Sequence, residues 1–578
     1  MPFYSGGLGI QAADWLKAAA DLGLPVVGGG ILYHKGYFKQ TFNNDCWQCE
    51  EPIKFDPEEH GLNLLNIREK INISGKNVDV GVYEYKIKGR KSEVPLYLLT
   101  TNLPENTNEF DKNLTATLYE EGDNKEYFRT AQYRILATLV RVWQSLGYDI
   151  ETYHLNDGHG ALVGLELLKQ GLNQDQIKER CWFTTHTPIE AAFDHFSMRE
   201  VKYVLPEKEC KKLLPYCVYF NENPYLGTAE LAVALSRGVN AVSKKHAEVC
   251  SAMDIFKGIN VIPITNGVHL PTWVHPEKAA LYESLIPGIF EHPERFREID
   301  SLDYNLFKIT HKRAQNELFE LIQELSIKDL ERLGLKPDEI ISELKKVEFE
   351  PGYLTIGFAR RGVDYKRADL ILHDLADLAR IMKDKAQILF SGKVPPRDTA
   401  SKDLIQKVWL GCRELREKYG VKAVYLSDYD MATAEKIVQG VDVWLNNPRR
   451  PQEACGTSGM KAAANGGVND SVLDGWWAEA YNGRNGFAIA PDNHDNNYET
   501  DSKAIRDLLE HQIIPIFGGK EWETMVKESL KLAAFFNTNR NILEYCEKAY
   551  GLSLDGIIKS TVSEAAPSKS QALASISH

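Results

Sequence analysis

The sequence contains no run of about 18 apolar residues, so it offers no helix able to span a bilayer. It has no excess of basic residues either. Lys and Arg number 68 against 81 Asp and Glu, a formal charge of -13, whereas neutralising a phosphate backbone needs the opposite balance; nucleic acid and membrane surfaces are not the predicted partners. Behind Met1 there is no basic segment followed by an apolar one, so no secretory leader is read and the predicted location is cytoplasmic. The nine cysteines are scattered and odd in number, which excludes a disulfide framework. Only Cys46 and Cys49 stand close together, and their CWQC lacks a second CxxC or a His pair to complete a tetrahedral site, so no metal is predicted. No repeat of 20 to 50 residues is present. No carboxylate pair stands out at the spacing a glycosidase acid and nucleophile would need.

What is there is an ordinary globular composition, 43% hydrophobic and 26% charged, spread over 578 residues, too many for one core. Apolar runs alternate with amphipathic segments in two blocks, which predicts an α/β protein built from two doubly wound parallel sheets. The first block, residues 1–300, has candidate strands at 96–99, 153–155, 182–184, 241–243 and 261–264, and a long helix over 126–146. The second, residues 351–520, runs through YLTIGFARR, AQILFSGK, AVYLSD and VDVWLNN, with helices between such as 432–439. Residues 301–350 read as bridging helices and 521–559 as helices packing back on the first domain. The tail, 560–578, is poor in large apolar residues and is predicted to be disordered.

The most informative stretch runs over residues 446–483. Lys461 follows a turn of Gly456, Thr457, Ser458 and Gly459, which lies after a short apolar strand and before a helix of small residues. Such a turn offers backbone N–H groups and hydroxyls to a phosphate at a helix N-terminus. A lysine just beyond it, partly desolvated and near other cations, could form a Schiff base. Pyridoxal 5'-phosphate carries both an aldehyde and a phosphate; the plainer alternative is an anion-binding loop with a surface lysine. A second cluster, Arg360, Arg361, Lys366 and Arg367, could focus an anion, Arg361 bidentately and Lys366 as a point charge, or could be a solvated basic helix start. Gly6, Gly7 and Gly9 are read as opening a helix near Ile10. Taken alone, Asp157, His159 and His186 read as hydrogen-bonded structural groups.

The string EACGTSGMK, with Asn465 and LDGWW after it, resembles the cofactor segment of the α-glucan phosphorylases. YSGGLG at Tyr4, HLNDGHGAL at His154, TTHTP at Thr184 and ARRGVDYKRADLIL at Ala359 match in the same order, and the correspondence runs from Pro2 to about Gly518. The likeness is to the short bacterial or archaeal kind, without the regulatory extensions of the animal enzymes.

The resemblance implies two Rossmann-like domains facing a cleft, the glycosyltransferase B type, and a reaction in which inorganic phosphate removes terminal α-1,4-linked glucose from a glucan or maltodextrin. The product would be α-glucose 1-phosphate with retained configuration, the cofactor's phosphate exchanging a proton with the substrate phosphate. It implies pyridoxal 5'-phosphate on Lys461, with Arg360, Gly456, Thr457, Ser458, Trp273 and Tyr429 around it. Gly6, Gly7, Arg361, Tyr365 and Lys366 would hold the substrate phosphate. Glu453, Gly456, Asn266 and His186 would hold the sugar, the His186 carbonyl near the anomeric carbon, with Asp157 and His159 in the acceptor-side loop. The sequence departs from the family at Cys455, where serine is usual, at Ile10 and Gln11, and at Val363 and Asp364. Five residues precede Gly6 where the family carries a strand and several helices, so the first domain is expected to lack its usual opening segment. Two other readings stay open: a nucleotide-sugar glucan synthase, which would replace the Lys461 region with carboxylate and ribose contacts, and an inactive glucan-binding scaffold. A homodimer is left open as well.

Overall fold

A computed structural model describes residues 6–118, 124–552 and 570–577. Its contacts divide the chain into two units: Met1–Phe38, Pro52–Thr265 and Thr538–His578 form the first, and Lys39–Glu51 with Asn266–Asn537 the second. The helices α4 (Tyr304–Arg332) and α5 (Pro337–Val347) therefore belong to the second unit. Of the helical residues after 520, Lys520–Leu530 belongs to the second unit and Thr538–Lys548 to the first; residues 553–559 lie outside the described ones. Among the described residues no helix is long and apolar enough to cross a membrane.

The first unit is organised on a nine-stranded sheet. Eight of its strands are β1 (Val26–Ile31), β2 (Asn63–Ile73), β3 (Lys76–Lys88), β4 (Glu93–Thr100), β5 (Asp149–Asn156), β6 (Cys181–Thr184), β7 (Val239–Ala241) and β8 (Val261–Pro263). The ninth is Ser570–Ile576, the seam strand, and the order is β8-β7-β6-β5-seam-β1-β4-β3-β2. From β8 to β4 neighbouring strands are parallel; β4, β3 and β2 form an antiparallel meander.

One sequence expectation is corrected in this sheet, and β1 shows packing that its local sequence does not foretell. The glycines of β1 lie inside a strand, and neighbouring side chains fill the space beside them. A Cβ on Gly29 would lie 2.4 Å from Leu139 Cδ1 and 2.7 Å from Trp143 Cζ2. The tail, expected to be disordered over 560–578, supplies the seam strand at Ser570–Ile576, while 560–569 lie outside the described residues. A strand paired on both sides gains its stability from ladders and facing neighbours, so SQALASI needs little bulk of its own. Leu573 donates its N–H to the Pro25 carbonyl at 2.8 Å and packs in the cluster of Trp15, Ile542 and Tyr545.

Helices also differ from expectation. α1 spans Gly7–Leu22, so it starts three residues before Ile10, with Gly6 as its N-cap at φ 83. The single helix predicted over 126–146 is two, α2 (Lys125–Leu136) and α3 (Leu139–Ser145). Between them Thr138 folds back on Ile135, donating both its N–H and its hydroxyl to that carbonyl, which tightens the turn and breaks the α-helical ladder.

The second unit carries a six-stranded parallel sheet: β9 (Leu354–Ala359), β10 (Ala386–Ser391), β11 (Ala423–Leu426), β12 (Val443–Asn446), β13 (Val468–Ser471) and β14 (Gly486–Ala488). β9, β10, β11 and β12 are fully buried, as expected for strands covered on both faces. The order is β11-β10-β9-β12-β13-β14, so direction of travel reverses between β9 and β12. In such a sheet the crevice for a ligand opens at the carboxyl ends of the two strands at the reversal.

Candidate active site

The residues following β9 and β12 meet at that reversal. Arg360 and Arg361 come directly after β9, and the segment from Asn447 to Gly456 comes after β12. Glu453 is the centre of a buried charge cluster: Lys366 Nζ donates to its Oε2, and Arg360 Nη1 reaches the same oxygen at 3.4 Å. Burial alone would raise the Glu453 carboxyl, but the charges of Lys366 and Arg360 outweigh it and hold the group below the usual carboxylate range. The same burial, helped by repulsion from Arg360, brings the Lys366 ammonium down to about 7. Lys366 also lies 4.6 Å from the centre of the Tyr365 ring, and burial raises the Tyr365 hydroxyl above its usual range. Asp474, itself pushed up to about 7 by burial, fixes this loop by accepting the Glu453 N–H at 2.9 Å and the Gly475 N–H at 2.9 Å.

The four adjacent cations do not share one role. Arg361 is exposed. Arg367 is buried, donates to the carbonyls of Asn447 and Pro448, and is paired with Asp501 at 2.7 Å. It is structural, which corrects its inclusion among the anion-focusing residues. Arg360 Nη2 reaches Ser458 Oγ at 3.4 Å, while its Nε is buried without a hydrogen-bond partner. Tyr429 is partly buried near Arg360, its hydroxyl 3.4 Å from the Ala359 carbonyl, and burial raises it.

Lys461 stands on α6 (Ser458–Ala464) and is buried, its Nζ 3.6 Å from the centre of the Trp273 ring. Asn465 sets that contact. Its amide donates to the Trp273 carbonyl at 2.8 Å and the Lys461 carbonyl at 3.0 Å, and its oxygen accepts the His275 N–H at 2.9 Å. Before the helix, Gly456 holds φ 84, and a Cβ there would lie 3.2 Å from Glu453 Cγ. Thr457 is the N-cap without a side-chain cap bond. Because α6 is two turns long, its dipole is small, and attraction for an anion falls mainly to Arg360.

In the first unit the predicted residues follow β5 and β6. Asp157, at φ 68, accepts the Gly158 N–H at 2.8 Å and the Thr187 hydroxyl at 3.3 Å, and burial raises its carboxyl. Burial lowers His159, whose ring packs edge-on against Tyr133 at 5.5 Å. His186 is brought down to about 3 by burial, so its ring is neutral, and its Nε2 lies 2.7 Å from Asn156 Oδ1. Gly6 and Gly7 stand at the head of α1, where a Cβ on Gly7 would meet nothing within 4 Å. Asn266, read with the first domain, falls one residue past the division and belongs to the second unit.

A family model for the carbohydrate phosphorylases matches residues 3–88 and 217–482. The chain belongs to the carbohydrate phosphorylase family. This phosphorylase is 36% identical to the maltodextrin phosphorylase of Thermococcus litoralis, over 96% of this chain and 70% of that one. It is 33% identical to the glycogen phosphorylase of Aquifex aeolicus, over 95% of this chain and 83% of the relative. With the glycogen phosphorylase of Mycobacterium bovis it shares 33% identity, over 95% and 69%.

Sequence reading of the phosphorylase missed two residues that shape these clusters. Asp474 lies inside the LDGWW string, and an acid before a glycine is a visible turn signal, but its partner Glu453 is distant in sequence. Asn156 lies inside HLNDGHG, where nothing local marks it as the partner of a histidine just past the end of the next strand.

Proposed function

We propose that this phosphorylase uses inorganic phosphate to release terminal α-1,4-linked glucose from a glucan or maltodextrin as α-glucose 1-phosphate, with pyridoxal 5'-phosphate held at Lys461 and a fold of the glycosyltransferase B type. The observation that carries the cofactor reading is the donor set around α6. A buried lysine amine lies against an indole face, and a buried Arg360 Nε lacks a partner beside the Ser458 hydroxyl. That set fits a ring bearing an aldehyde and a phosphate: Lys461 would hold the aldehyde, Trp273 and Tyr429 would border the ring, and Arg360, Thr457 and Ser458 would take the phosphate. When bound, the group supplies a phosphate able to exchange a proton with the substrate phosphate.

The chain's own residues do the rest. Arg361, exposed just after β9, is assigned to grip an incoming phosphate bidentately, and Lys366, with Tyr365 beside it, to add a second cation whose charge at neutral pH depends on the anions near it. These cations oppose the negative charge of the attacking group, and burial of Lys366 and Glu453 keeps water from screening them. Glu453, ionised, and the Gly456 backbone are assigned to sugar hydroxyls, as is Asn266. From the first unit, neutral His186 is assigned to a sugar hydroxyl and its carbonyl to the positive charge that grows at the anomeric carbon. Asp157 and His159 are assigned to the acceptor side, and Gly6 and Gly7 to the substrate phosphate.

Borohydride reduction of the purified, cofactor-loaded protein should fix a pyridoxyl group on Lys461, read by mass spectrometry of the peptide. Lys461→Ala should abolish both the label and glucose 1-phosphate release. Phosphorolysis by the unlabelled variant would refute the assignment.

A further inference from the structure

The seam strand joins two parts of the first sheet and delivers one side chain to the residues around His186. It pairs in parallel with β1 through Gly29↔Ile576 and with β5 through Ile576↔Leu155, so its carboxyl end emerges level with the ends of both. The next residue, Ser577, is held by its backbone: its N–H donates to the Gly29 carbonyl at 2.9 Å. Its own carbonyl lies against Gly30, where a Cβ would stand only 3.0 Å from that oxygen. In this position the Ser577 hydroxyl accepts from Asn156 Nδ2 at 2.6 Å, and Asn156 Oδ1 faces His186 Nε2 at 2.7 Å.

We infer that Ser577 is a positioning residue for His186, acting through Asn156. The Ser577 hydroxyl holds one end of the Asn156 amide, which fixes the rotation of that side chain and keeps its oxygen against the histidine. An acceptor there selects the tautomer with the proton on Nε2 and leaves Nδ1 as the unprotonated nitrogen of the ring. Burial keeps that ring neutral, so tautomer and rotation, rather than charge, are what the chain can set. Without the hydroxyl, the Asn156 amide loses the partner that holds its rotation against His186. Both Asn156 and the backbone of Ser577 are fixed by strand pairing, so the relay is as rigid as the sheet.

The inference rests on the assignment of His186 to the sugar, and the test separates the two. Ser577→Thr keeps an oxygen, while Ser577→Val has nearly the same shape without one. kcat and KM for glucan phosphorolysis are measured for both and for His186→Ala, with the thermal midpoint and the absorbance of the bound cofactor as controls. Expected are a loss of about tenfold in kcat/KM for Ser577→Val, the scale of one neutral hydrogen bond, and near-parental turnover for Ser577→Thr, with unchanged midpoint and cofactor content. Parental turnover by Ser577→Val, or equal losses in Val and Thr, overturns the positioning role. A midpoint that falls in step with activity overturns it too, because the effect is then one of folding. Full turnover by His186→Ala instead removes the assignment of His186, whatever the Ser577 variants do.

Discussion

Replacing Glu453 with glutamine removes the negative centre of the second unit's charge cluster and leaves its shape. Lys366 and Arg360 both converge on Oε2, and all three side chains are at most 10% exposed. Breaking a buried pair by neutralising one partner costs about 3 to 5 kcal/mol, because the remaining charge is left uncompensated. Arg360 keeps Ser458 as a neighbour, so the lower end, about 3 kcal/mol, is the reasonable figure here. At roughly 2 to 4 °C per kcal/mol, the unfolding midpoint of Glu453→Gln should fall by about 6 to 12 °C in phosphate-free buffer. Lys366 loses the contact that raises it, so its ammonium should drop below about 7. Inorganic phosphate would return negative charge to the same cations, and at 100 times its dissociation constant a ligand adds about 2.7 kcal/mol. The variant should therefore gain more from phosphate than the parent does. Calorimetry of both proteins, with and without phosphate, reads the two effects directly. Equal midpoints in phosphate-free buffer, or equal gains from phosphate, would refute the idea that Glu453 is the internal counter-ion of a phosphate site.

Arg361→Ala should cost about 2 to 4 kcal/mol of transition-state stabilisation, seen mainly as weakened phosphate dependence in steady-state kinetics; an unchanged phosphate KM and kcat would take Arg361 out of the site. Leu573→Ala should destabilise the first unit by about 2 to 5 kcal/mol by opening a cavity against Trp15 and Tyr545, and a midpoint equal to the parent's would mean that the seam strand does not form. Asp474, raised to about 7 from 3.8 by burial, keeps its proton in the folded chain after the unfolded chain has released it. Its contribution is therefore complete below about pH 4 and is lost as pH rises to about 7, at a slope of up to ~1.4 kcal/mol per pH unit. Asp474→Asn should remove that slope, so denaturation midpoints of parent and variant compared at pH 5 and pH 7.5 should differ by different amounts; a constant difference would contradict the shift.

The segment around Lys461 was legible because its chemistry is local. Turn, lysine and small-residue helix are consecutive, and the buried strand before them is a plain apolar run. The same holds for β9, β10, β11 and β12, four strands of the six-strand sheet, whose apolar runs read as strands covered on both faces. β1, with its three glycines, is not among the candidate strands read from the sequence, since the space beside those glycines is filled by Leu139 and Trp143, more than a hundred residues away.

Adjacent cations show the same limit within a single motif. Arg361 and Arg367 are the same residue type six positions apart, and no feature of their neighbours says that one stays exposed while the other is committed to Asp501. Residue types and their local spacing settled which functional groups this phosphorylase owns, because turns, helix starts and buried strands are governed by contacts between near neighbours in the chain. Which of those groups are paired, which are left facing a ligand, and that SQALASI closes the centre of a sheet were decided by distant segments folding together, since burial and hydrogen-bond partnership depend on what lies across space.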